Sequence, residues 1–166
     1  MNDRAVVARQ LGRQPRAFRR VAVRCPFGLP AVTEQAPYDV NGEPFPTMYY
    51  LTCSYLVAAL ARLEAAGGVE RWGRTAAADA VLAASLARAT DDQRRIRREL
   101  GGEGEESDAG ASLDLGIGGA RAPEHLKCLH AHAAYALARP GYLLGERILA
   151  EVLPPWPVGE CCSEAL

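Results

Sequence analysis

PFPTMYYLTCSYLVAALARLEAAGG, Pro44 to Gly68, changes its periodicity halfway along. Pro44, Phe45 and Pro46 force an extended start. Thr47–Leu51 then has the β-branched and aromatic composition of a strand. After Ser54, a residue suited to cap a helix, Leu56, Leu60 and Leu63 recur at helical spacing. This predicts a helix over Tyr55–Ala66, stopped by Gly67-Gly68. The chain passes here from a strand-forming region to a helix-forming one.

Reading outward supports that division. Upstream, Phe18, Val21 and Val23 alternate with arginines and predict a strand over Ala17–Arg24. Pro26, Gly28 and Pro30 turn the chain, and a second strand is expected over Ala31–Gln35. Asn41-Gly42 reads as a type I′ turn. A short helix over residues 3–12, capped by Asp3, precedes the strands. Downstream, helices are expected over Thr75 to about Leu100, from Pro123 to Arg139, and over Tyr142–Leu153. Strands first and helices afterwards imply an α+β fold, with a small antiparallel sheet from the N-terminal third packed on a layer of three to four helices. The expectation is one domain over 1–166, with a mobile acidic loop at 103–115 and an extended tail at 154–166.

Composition narrows the function. The chain has 166 residues, 49% of them hydrophobic, and a net charge of -1. This composition fits a globular domain, and the charge argues against global attraction to nucleic acid or an anionic membrane. Seven arginines precede residue 25, but no interleaved aromatic RNA motif accompanies them, so they read as a solvated surface. No apolar run reaches 18 residues, and the N-terminus lacks an apolar export core, so the expected location is cytoplasmic. In a reducing compartment the five cysteines are better read as core residues, metal ligands or reactive thiols than as disulfides.

Reactive groups are densest in GIGGARAPEHLKCLHAHAAYALA, Gly116–Ala138. It holds all three histidines and Lys127, the only lysine. On a helix starting at Pro123, His125, Cys128 and His132 share one face, and Lys127 and His130 another. Three chemistries follow. Zinc or an iron–sulfur cluster suits thiolates and imidazole, which selects Cys25, Cys53, Cys128 and His130, although no C-x-x-C spacing is present. A glycine loop leading into a helix start suits a phosphate or another small anion, which selects Gly118, Gly119, Arg121 and Lys127. A cysteine activated by a histidine brought near by the fold is the third. Against all three stands the plain reading of buried cysteines and turn-forming glycines.

RCPFGLPAV (Arg24–Val32), PFPTMYYLTC (Pro44–Cys53), ARLEAAG (Ala61–Gly67), GIGG (Gly116–Gly119) and KCLHAH (Lys127–His132) together resemble an actinobacterial family catalogued as domain of unknown function 501. The resemblance spans roughly residues 8–158 and implies no activity. Members lie in genomes beside a small septum-formation protein and an exopolyphosphatase. The resemblance therefore also implies a non-enzymatic interaction protein linked to cell division or phosphate metabolism. Its motifs direct attention to the Cys25 turn, the Pro44–Thr47 stretch and Lys127–His130 as one meeting place.

Overall fold

The computed structural model describes residues 2–102 and 104–162. The strands are β1 (Phe18–Arg24), β2 (Pro30–Gln35) and β3 (Tyr49–Leu51). The helices are α1 (Asp3–Leu11), α2 (Ser54–Ala65), α3 (Gly68–Ala78), α4 (Ala80–Leu100), α5 (Glu105–Asp108), α6 (Leu129–Ala138) and α7 (Leu143–Ala150). The strands form one antiparallel sheet in the order β1-β2-β3, so the fold is the expected α+β arrangement. Every residue of β2 is buried, because it is the central strand and both α1 and α6 pack on it.

Helix α6 is the centre of the molecule. It packs on β3, α2 and α7, and seven of its ten residues are buried. A helix that is apolar nearly all round is one enclosed by the rest of the fold. An aromatic line crosses it: Tyr49 of β3 meets Tyr135 edge-on at 5.4 Å, and Tyr135 meets Tyr142 in the same way at 5.4 Å. His132, fully buried, continues the line through a 2.7 Å contact between Nδ1 and the Tyr142 hydroxyl. Burial alone holds its pKa down to about 4, so the ring is neutral.

Several boundaries differ from expectation. The helix foreseen from Thr75 is two helices, because Asp79 is extended and its carboxylate accepts from Val81 and Leu82 N–H, starting α4 afresh. Gly67 takes the left-handed conformation of a helix stop, yet α3 begins at the next residue. Helix α1 is capped by Asn2, not Asp3, which instead pairs with Arg24 at 2.8 Å. Asn41 keeps a negative φ, so Asn41-Gly42 is not a type I′ turn; Asp39 closes it by accepting from the N–H groups of Asn41 and Glu43. The acidic stretch after α4 carries α5 and a 3-10 turn at Ala111–Asp114.

The largest correction concerns α6. It starts at Leu129, not Pro123, and Cys128 before it is extended. His125 and Lys127 therefore lie off the helix, and the faces expected from a start at Pro123 do not form.

Candidate functional site

The start of α6 is fixed from a distance. Glu64, near the end of α2, accepts from the Leu129 N–H at 2.6 Å and contacts His130 Nδ1 at 3.0 Å through the same oxygen, Oε1. The carboxylate does the work of a cap side chain, and its charge complements the positive end of the helix. Nε2 of His130 faces the Val57 carbonyl at 3.1 Å. Both ring nitrogens are thus engaged by oxygens of α2. A metal or a thiol would have to displace one of these contacts.

The proposed metal ligands do not gather. Cys25 is buried in the core, in a turn closed by its own N–H to the Leu29 carbonyl and by Gly28 N–H to the Cys25 carbonyl. Cys53 precedes α2, with its sulfur 3.7 Å from that of Cys162. Cys128 precedes α6 and is half-buried. His130 is engaged by Glu64 and Val57. Among the described residues no three His, Cys, Asp or Glu side chains form a group able to hold a metal. Burial first, and then the Glu64 carboxylate, push the Cys128 thiol up, and the Ala131 N–H, Lys127 and the His130 N–H pull the other way without prevailing. This favours the protonated thiol, a poor nucleophile.

The glycine loop is also not an open cradle. Gly116–Gly119 is buried, and the Leu115 and Gly116 carbonyls accept from Gln93 of α4. A Cβ on Gly118 would meet that of Ala131 at 3.0 Å, and one on Gly119 would meet Pro46 at 2.8 Å. Close packing between the Pro44–Thr47 stretch and α6 therefore accounts for these glycines. Nine residues separate Gly119 from α6, whose first turn already holds the Glu64 carboxylate in the place an anion would take. Arg121 and Lys127 are exposed.

The Pro44–Cys53 stretch does meet the start of α6, at a cleft of about 510 Å³. Leu51, Val57, Ala58 and Ala131 give it apolar walls, and Cys128 lies at one side. Its polar groups come from Gln10, Thr47, Tyr50, Thr52, Ser54 and His130. The Thr52 side chain is buried, and its hydroxyl has no hydrogen-bond partner. Cys25 does not line this cleft. Sequence reasoning missed Gln10, Thr52 and Glu64. Glu64 sat in a quoted motif, and only its distance in sequence from Leu129 hid its role. A larger groove, of about 730 Å³, runs between α3 and α4 beside Pro123–Leu126.

No curated protein and no solved structure shows significant similarity to the chain. No helix among the described residues is long and apolar enough to cross a membrane. The model of a family described as a protein of unknown function, DUF501, matches residues 21–150, which takes in the second half of β1, all of β2 and β3, and α2 through α7. That stretch contains every residue that shapes the start of α6, and on it the chain belongs to the DUF501 family.

Proposed function

We propose that the protein binds a small uncharged molecule, with a mostly apolar body and one or two hydrogen-bonding groups, in the cleft between β3, α2 and the first turn of α6. One observation carries this reading: Thr52 lines the cleft at 1% exposure with an unpartnered hydroxyl. An unpaired buried hydroxyl costs about 1–3 kcal/mol, which a ligand carbonyl or hydroxyl would recover once the cleft wall opened to admit it. The volume lies in the range of ordinary ligand pockets, and the walls are apolar. The Glu64 carboxylate is taken up by the Leu129 N–H and the His130 ring, so it offers little to a charged ligand. The thiol beside them is held protonated, which favours binding over turnover. The metal reading through Cys25, Cys53, Cys128 and His130 needs side chains to leave their partners. The anion reading through Gly118, Gly119, Arg121 and Lys127 needs Glu64 displaced and the loop opened. The binding reading needs neither.

Cyclohexanol is a suitable probe, with an apolar body and one hydroxyl. Titrated into ¹⁵N-labelled protein, it is expected to give saturable amide shifts at Thr52, Ser54, Val57 and Ala131. Ala58→Trp, which fills the cleft, should weaken binding by about tenfold or more. Shifts confined to Val69, Ala76 and Leu86, in the groove between α3 and α4, would reject the reading.

A further inference from the structure

The C-terminal tail places a second cysteine chemistry beside α2, apart from the cleft's binding role. Cys53 and Cys162 are 109 residues apart, yet their sulfurs lie 3.7 Å from one another. Cys53 is buried, whereas Cys162 is half-buried. The neighbours of Cys162 are the Ser54 hydroxyl and the Tyr55 N–H, in the first turn of α2, and the thiols of Cys53 and Cys161. We infer that Cys53 and Cys162 are a reversible dithiol–disulfide site that, on exposure to peroxide, covalently fastens the tail to the start of α2.

Electrostatics assigns the roles. Burial works against ionisation of Cys162, but hydrogen bonds from Ser54 and Tyr55 and from its two cysteine neighbours outweigh it and hold the thiol below its ordinary range. A helix start is a known setting for a stabilised thiolate. Burial pushes the Cys53 thiol up, so Cys162 meets the peroxide first, and Cys53 resolves the reaction, giving up its proton as its sulfur attacks. The Cys162 thiolate attacks one oxygen of hydrogen peroxide; the O–O bond breaks and hydroxide leaves, taking up a proton to become water. Cys162 is then a sulfenic acid. The Cys53 sulfur bonds to the Cys162 sulfur, the S–O bond breaks, and the hydroxyl leaves as water with the Cys53 proton. Two thiols lose two electrons, and one peroxide becomes two waters. The sulfurs must close from van der Waals contact to about 2.05 Å, a movement the partly exposed tail allows.

The test uses the full chain, reduced and then treated with a small excess of hydrogen peroxide. Titratable thiols should fall from five to three, and dithiothreitol should restore all five. Peptide mass mapping after chymotryptic digestion should find Cys53 joined to Cys162. Cys161→Ser should still lose two thiols, whereas Cys162→Ser should form no intrachain link. Both substitutions lie in the tail, and circular dichroism checks that the fold is kept. A Cys161–Cys162 link, a disulfide between two chains, or an unchanged thiol count would each overturn the inference.

Discussion

Oε1 of Glu64 lies 3.0 Å from Nδ1 of His130, although the two are 66 positions apart in sequence. The same oxygen accepts the Leu129 N–H, so one side chain of α2 fixes both where α6 begins and how its first histidine is turned. Glu64→Ala is expected to lower stability by about 1–3 kcal/mol, through loss of a cap and an unpaired His130. Glu64→Gln should lose less, because its carbonyl oxygen can still accept one N–H. Urea unfolding of the two variants checks this; equal losses would contradict the account of a hydrogen-bonded cap.

The glycines of the buried loop are set by packing as well as by backbone angle. Gly119 has φ +80° and would place a Cβ 2.8 Å from Pro46, whereas Gly12 has φ +66° and open space around it. Gly12→Ala should cost about 1 kcal/mol, for the left-handed backbone alone. Gly119→Ala should cost about 2–4 kcal/mol, since a steric clash is added. Thermal melts of the pair measure the difference.

His132 makes the fold sensitive to acid. Its folded pKa is about 4 against an ordinary 6.5, because burial opposes the charged ring. The unfolded chain therefore binds a proton that the folded chain does not. This contribution to stability is complete above pH 6.5 and is lost as the pH falls from 6.5 toward 4. The slope is about 1.4 kcal/mol per pH unit for one proton. His132→Gln should flatten that part of the stability profile, measured by urea melts from pH 7 to 5.

Arg97 is fully buried near the end of α4. Its guanidinium donates to the Phe45 carbonyl at 3.0 Å and the Ser112 carbonyl at 3.3 Å. It ties the Pro44–Pro46 stretch to α4 by backbone oxygens, not by a carboxylate. Arg97→Ala should destabilise by about 3 kcal/mol or more, from a cavity and two unpaired carbonyls. Arg97→Lys should recover only part of this, because an ammonium cannot reproduce the fork. Chemical denaturation of both variants gives the comparison.

The order of strands and helices was legible because local periodicity dictates it: alternation in Phe18–Arg24 and leucines at helical spacing after Ser54. Asp79 carried a readable cap signal inside an alanine-rich run that otherwise continues as one helix. The start of α6 was not legible. Pro123 is a sound local signal, but the cap that decides the matter comes from Glu64, far away in sequence. The meeting of Thr47–Thr52 with Cys128 and His130 followed from the motifs. The partners of each cysteine did not, because they depend on tertiary neighbours such as Cys162 beside Cys53.

The central claim is that the cleft at the start of α6 holds a small apolar molecule through Thr52. Intermolecular nuclear Overhauser effects between cyclohexanol and assigned methyl groups test it most directly. Contacts to the methyls of Thr52, Val57, Ala58 and Ala131, lost in Ala58→Trp, are the predicted result. Contacts only to Val69, Ala76 and Leu86, or none at concentrations that saturate the amide shifts, would contradict it.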